Sequence, residues 1–203
     1  MTSCFGGLLE CCQGPSYTAT ASYAQLHDPS LSVHLDTGAV GSDVVLVKNG
    51  TRLCGTGGAL ANAPIVQNKA YFEIKVQQTG VWGVGLSTKD TDLNQVPLGS
   101  TPTSWVLRDD SKVYSNGSQL AALTEPVEEG DVIGISFDHV EMCLYKNGQP
   151  IECRVTGVRA GDMGHIYPAF YVADGAILDV RFRQFWFDAP PGFEEIMHEQ
   201  TIL

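Results

Sequence analysis

The sequence predicts an all-β fold: one sandwich domain preceded by a tail. Three observations carry that reading. Apolar side chains alternate with polar residues or glycine in run after run, the period of a strand with one face on a core. Asn-Gly pairs at 49–50, 116–117 and 147–148 punctuate those runs, and such pairs accept the positive φ that tight hairpin turns require. Glycine is abundant, at 22 residues, and charge is modest, at 17%, which suits many short strands joined by turns. A chain of 203 residues can bury roughly 70% of its unfolded surface, enough for a substantial core.

Residues 1–32 are expected to form a disordered, Cys-containing tail. From Gly14-Pro15-Ser16 through Tyr23 the residues are small or hydroxylic with no sustained period, too little apolar surface to offset chain ordering. Cys4, Cys11 and Cys12 beside a short apolar stretch are candidate S-acylation sites. Two acyl chains would anchor stably, making the tail a peripheral membrane tether; the other reading is a leader with reduced thiols. Thr2 excludes N-myristoylation. Phe5–Leu9 is too short and lacks the basic lead of a secretory signal. No run is long enough to span a membrane.

The domain proper is expected over residues 33–203. Val44–Lys48, Asn49-Gly50 and Thr51–Cys54 make a hairpin. Gly55-Thr56-Gly57-Gly58 lacks the Gly-Lys-Ser/Thr ending of a phosphate loop and reads as a glycine turn. In Tyr71–Gln77, Phe72, Ile74 and Val76 share one face, with Glu73, Lys75 and Gln77 on the other. In Val81–Leu86 the glycines at 83 and 85 predict close approach of another strand or a bulge. Asp90, Asp92 and Asn94 mimic the start of a calcium loop, but Gln95 and Thr101 stand where its glycine and bidentate glutamate belong.

Ser104–Leu107 is a strand, Arg108–Ser111 a turn, and Val113-Tyr114 a strand closed by Asn116-Gly117; Leu120–Glu125 is connecting chain. Ile133, Ile135 and Phe137 alternate with Gly134 and Ser136, predicting that Phe137 is buried. A two-residue turn at Asn147-Gly148 would set Lys146 opposite Gln149 and Leu144 opposite Ile151, and would point Cys143 and Cys153 to opposite faces. Ile166–Val172 and Ile177–Arg183 are further strands. Phe185-Trp186-Phe187 is expected to pack over a sandwich end. The spacing of Phe193, Ile196 and Met197 predicts a short C-terminal helix.

Several of these pieces together resemble one family. Gly130-Asp131-Val132-Ile133-Gly134, Asp138 and Tyr145-Lys146-Asn147-Gly148 are similar to the signature segment of SPRY (B30.2-type) domains. Tyr71-Phe72-Glu73 followed by Gly80–Gly85 resembles a second marker, and Trp105 with Val113-Tyr114 and Asn116-Gly117 a third. The order and spacing match, and the resemblance runs from Val33 to Glu199. It implies a bent antiparallel β-sandwich, a concanavalin A-like jelly roll, that binds other proteins through its loops without catalysis. One departure stands out: many SPRY domains carry a longer, Gly-containing turn after the Asp, whereas Asp138-His139-Val140 is abrupt. Loop motifs that other members use on their partners therefore do not transfer residue by residue.

Function is narrowed further by what is missing. A formal net charge of −11 argues against a nucleic-acid partner, which calls for clustered Lys and Arg. The sequence holds no Gly-x-Ser-x-Gly elbow, no His-x-x-x-His and no Cys-x-x-Cys. Asp138 reads as an acceptor for turn amides rather than a proton-transfer partner of His139. The cysteine placement, without a disulfide framework, suits a reducing compartment.

The expectation is a cytoplasmic monomer, membrane-associated if the tail is acylated. It has no cofactor, no metal and no catalytic set, and it binds a protein or peptide ligand. Candidate contact residues at loops are Asn94, Gln95, Arg108, Asp109, Tyr171 and Asp174; Tyr and Arg join apolar area to polar contacts. The alternative is a small-molecule, carbohydrate-binding or enzymatic sandwich, which would need a concave pocket with convergent polar groups.

Overall fold

The computed structural model describes residues 32–161 and 164–198. The tail reading and the acylation candidates Cys4, Cys11 and Cys12 lie outside the described residues. Among the described residues fourteen strands follow in order: β1 (Leu35–Val40), β2 (Asp43–Val47), β3 (Arg52–Ala61), β4 (Ala70–Gln78), β5 (Val81–Ser87), β6 (Ser104–Arg108), β7 (Lys112–Ser115), β8 (Ser118–Ala122), β9 (Val132–Phe137), β10 (Glu141–Lys146), β11 (Gln149–Thr156), β12 (Tyr167–Ala173), β13 (Ile177–Arg181) and β14 (Glu194–Glu195).

Two antiparallel sheets result. The first runs β1-β3-β12-β5-β6-β7-β8, the second β2-β3-β13-β4-β9-β10-β11. Strand β3 belongs to both. Its residues 52–56 pair with β2 and its residues 57–60 with β12. The glycine-rich stretch 55–58 is therefore not a turn, as its composition suggested, but the bend where one strand passes between sheets. Gly55 and Gly57 take φ of 93° and 136°, and a Cβ on Gly55 would lie 2.2 Å from the Asp43 carbonyl oxygen. Only glycine tolerates both the conformation and the contact.

The core fills the space between the sheets. Phe72, Ile74, Val76, Ile133, Ile135, Phe137, Leu178 and Val180 face it from the second sheet, and Trp82, Val84, Leu86, Leu107, Phe170 and Val172 from the first. Phe170 stands edge-on to Phe72 and Phe182, with centroids 5.8 and 6.0 Å apart. The period-two faces read from the sequence are thus the buried ones, Phe137 included.

Signature residues hold turns. Asn147 and Gly148 adopt φ of 51° and 77° between paired Lys146 and Gln149. The Asn147 amide donates to Asp131 Oδ1, its side-chain oxygen accepts from Val132 N, and Lys146 Nζ reaches Asp131 Oδ2 at 3.2 Å. Hydrogen bonds from Glu128 N, Asn147 and Lys146 hold the Asp131 carboxyl below its usual range, although burial alone would push it up. Asp138 accepts from Val140 N and Glu141 N, while His139 Nε2 meets the Gln67 carbonyl. Aspartate and imidazole are committed separately, as the turn-acceptor reading requires.

The structure corrects several details. Lys146 does face Gln149, but two extra β11 residues then shift the register, so Met142 faces Val155. An even shift preserves sidedness, and Cys153 points into the core while Cys143 lies on the other face. Ser118–Ala122, expected as connecting chain in part, is an edge strand. Among the described residues, the segment 193–197 does not form the predicted C-terminal helix. Because β13 pairs with β4 only from Glu73 onward, Ala70 and Tyr71 keep a free edge, and Glu194-Glu195 adds there in parallel. Gln67 fixes that addition: its Nε2 donates to the Glu195 carbonyl and its Oε1 accepts from Met197 N. Ile196 is still buried, so the apolar spacing was met by a bent extended segment.

Candidate interaction surface

Both sheets carry a covering on their outer face, and each covering creates a small site. On the second sheet, Tyr71 and Glu73 point away from the core. The chain after β13 folds over them. Phe185 stands edge-on to Tyr71 at 4.9 Å, Trp186 stacks on the Arg181 guanidinium at 4.1 Å, and Phe187 lies against Gly148. This segment covers a sheet face, not the sandwich end expected for it. Glu73, placed by its period-two position on the face away from the core, is fully buried. Its carboxylate accepts from Tyr71 Oη (3.0 Å), Trp186 N (2.5 Å) and Phe187 N (3.2 Å). Burial still raises the Glu73 carboxyl against those donors and the Arg181 charge. Three donors, one from nearby Tyr71 and two from residues 113 and 114 positions away, make Glu73 a structural latch.

On the first sheet, the long β5–β6 connection lies across the outer face. Leu93, Val96 and Leu98 pack with Leu60, Val106, Ala169 and Tyr171 in a second, smaller cluster. Gly58 N donates to the Leu93 carbonyl, Gly117 N to the Gly99 carbonyl and Ser42 N to Asn94 Oδ1. The loop's carboxylates are used locally: Asp90 accepts from Thr88 Oγ1 and Asp92 from Asn94 N.

Strand register places two of the sequence-predicted contact residues, Tyr171 and Arg108, in one row. Gly58 pairs with Tyr171, Tyr171 with Gly83, and Gly83 with Arg108. A Cβ on Gly83 would lie 2.2 Å from Tyr171 Cε1, so the Tyr171 ring lies over Gly83 toward Arg108. Close approach was the expectation for that glycine. Arg108 donates through Nε and Nη2 to the Leu98 carbonyl, at 2.9 and 2.7 Å, and its guanidinium covers the Tyr114 ring at 4.1 Å. Asp109 is exposed on the β6–β7 turn; partial desolvation of its carboxyl raises it against the backbone N–H groups of Trp82 and Asp109 that bond it. Gln95 and Asp174 are exposed, Asp174 at φ of 50° in the β12–β13 turn.

Placement separates the six. Gln95, Asp109 and Asp174 are surface residues. Asn94 braces the loop onto Ser42, and Arg108 clamps it through Leu98. Tyr171 is not a loop residue: it lies on β12 and is fully buried. Its period-two position was legible, but the loop that buries it gave no sequence signal. Sequence reasoning also missed Tyr114 and Asp110, whose hydrogen bond (2.7 Å) fixes the ring beneath Arg108; their spacing of four across a turn was the available clue. Among the described residues no group of three His, Cys, Asp or Glu side chains could hold a metal.

Comparison with known proteins agrees with this architecture. The SPRY domain family profile matches residues 69–185. The chain is 51% identical over 175 residues to SPRY domain-containing protein 7 of Gallus gallus and of Homo sapiens, covering 85% of this chain and 87% of each relative. Among solved structures it is similar in fold to the SPRY domain of human HERC1, with a TM-score of 0.62 at 18% identity over 74% of this chain and 99% of that one. The TRIM65 PSpry domain gives a TM-score of 0.59 at 14% identity, over 73% and 88%.

Proposed function

From the premise that the chain belongs to the SPRY domain family, we propose that it is a non-enzymatic module that binds a partner protein or peptide through loops at one end of its sandwich. The family commonly serves protein interaction, and fold alone would not justify the step. The supporting observation is how the polar residues are spent. Asp131, Asn147, Asp138 and Glu73 all hold the backbone. The frame is stiff, and Gln95, Asp109 and Asp174 stand out from it on turns. The module acts in a reducing, cytoplasmic compartment, as a monomer.

The test is affinity capture from cells with the full chain, comparing wild type with the triple variant Gln95→Ala, Asp109→Ala, Asp174→Asn. Loss of specific partners with unchanged thermal stability supports the loop site; an identical partner set places binding elsewhere. The membrane tether is part of the same proposal. Changing Cys4, Cys11 and Cys12 together to Ser should empty the membrane fraction, and an unaltered membrane share would refute it.

A further inference from the structure

The C-terminal strap, residues 193–198, is tied down through two imidazole nitrogens that must accept hydrogen bonds. Its strand β14 adds only Glu194 and Glu195 to the β4 edge. Beyond it Ile196 is buried, Met197 N donates to Gln67 Oε1, and His198 Nε2 lies 3.2 Å from Asn62 Nδ2. The same Asn62 nitrogen lies 3.1 Å from His34 Nδ1. All three residues are half-buried.

The amide orientation is fixed by chemistry. His34 N donates to the other polar atom of the Asn62 side chain at 3.0 Å; a backbone N–H can only donate, so that atom is the oxygen. The nitrogen facing the rings therefore supplies two N–H groups, one to each ring. Each ring must accept, with a lone pair on His34 Nδ1 and on His198 Nε2. A protonated imidazole carries N–H on both nitrogens and accepts nothing. Proton uptake thus sets donor against donor. Charged groups on the adjoining elements are engaged elsewhere or exposed. Asp36 on β1 accepts from Gly38 N, Lys48 in the β2–β3 turn pairs with Asp179, and Lys69 before β4 lies over the Phe193 ring. Glu194 and Glu195 on the strap are exposed. His139 meets the Gln67 carbonyl through Nε2, where it donates whether neutral or charged.

We propose that His34, Asn62 and His198 form a pH-sensitive clasp, which holds the C-terminal strap on the sheet while both imidazoles are neutral and lets it go when they take up protons. Imidazole is the side chain that changes charge between about pH 5 and 8. The direction follows from the bonding. The clasp exists only in the neutral form, so it is closed at higher pH and lost as pH falls. Release uncovers the backbone edge at Ala70 and Tyr71 and the site that Ile196 fills. An unpaired edge is a template for an added strand.

The experiment is amide hydrogen exchange by mass spectrometry on the full chain, at about pH 7.5 and about pH 5.5, with each rate divided by the intrinsic rate at that pH. Protection of residues 193–198 should fall about five-fold or more at the lower pH, while β9 and β12 keep theirs. In His198→Gln, whose amide oxygen accepts without titrating, the fall should shrink to about two-fold or less. Asn62→Asp reverses the clasp, because a carboxylate accepts from protonated imidazoles; its strap should stay protected, or gain protection, as pH falls. His139→Gln should respond as wild type does.

Equal protection of the wild-type strap at the two pH values overturns the clasp. So does an undiminished fall in His198→Gln, or an Asn62→Asp strap that still releases in acid. Loss of the response in His139→Gln would move the sensor to Gln67 and refute the assignment. A matching loss of protection in β9 and β12 would mark global unfolding and refute it equally.

Discussion

Gly134→Ala is the sharpest probe of the latch on the second sheet. Gly134 sits on β9 opposite Tyr145 and Glu73. A Cβ there would lie 2.0 Å from Tyr71 Oη and 2.7 Å from its Cζ. Tyr71 is itself buried under Phe185, so the ring cannot swing into solvent without lifting the covering segment. Overpacking of this kind costs about 1–3 kcal/mol. Displacing Tyr71 also breaks its bond to the Glu73 carboxylate, worth roughly 1.5–3 kcal/mol for a charged acceptor. The expected loss is therefore about 2.5–6 kcal/mol, measured by urea denaturation followed through tryptophan fluorescence. A double-mutant cycle with Glu73→Gln isolates the route. If the alanine acts through the Tyr71–Glu73 bond, the double variant should cost at least about 1 kcal/mol less than the sum of the singles. Strict additivity, or a single-variant cost below about 0.5 kcal/mol, would refute the latch.

Further outcomes follow from the same geometry. Phe137→Ala should cost about 3–5 kcal/mol by chemical denaturation, since the ring is 1% exposed between the sheets. For Glu73 the sign is set by burial, which raises its carboxyl above the ordinary 4.5. Folding then favours the protonated form, so this group's contribution is full below the ordinary value and is lost as pH rises through the raised one. Wild type should thus lose stability relative to Glu73→Gln as pH rises from the ordinary glutamate value through the raised one, read from paired melting curves; a flat difference would contradict the assignment. Asp179 behaves oppositely. Burial would raise it, but the Arg52 bonds at 2.5 and 2.7 Å and the Lys48 charge hold it below the ordinary range. Its contribution is present above the ordinary aspartate value and is lost as pH falls through the depressed one. Acid sensitivity in that window should diminish in Asp179→Asn.

Much of this molecule was legible in its sequence. Alternation identified the inward faces of β4, β5, β9, β12 and β13, because side-chain direction in a strand reverses at every residue whatever the strand packs against. Asn147-Gly148 and Asn116-Gly117 announced their hairpins, because positive φ is a local requirement met by local chemistry. The glycines at 83 and 85 marked close approach, since only a missing Cβ admits Tyr171 and the Trp105 carbonyl.

Tertiary structure decided what alternation leaves open: which outward faces stay wet. Glu73 reads only as an outward-facing residue until Trp186 and Phe187 arrive from more than a hundred positions away to donate to it. Tyr171 reads as a contact residue until the β5–β6 connection closes over it. Gly55–Gly58 reads as a turn until two sheets compete for one strand. The C-terminal segment spaces its apolar residues like a helix, yet an unfilled edge at Ala70-Tyr71 offers it backbone hydrogen bonds instead. In each case the local sequence sets the direction of a side chain or the freedom of a backbone. The partner that uses it comes from a distant segment, and only the packed chain brings the two together.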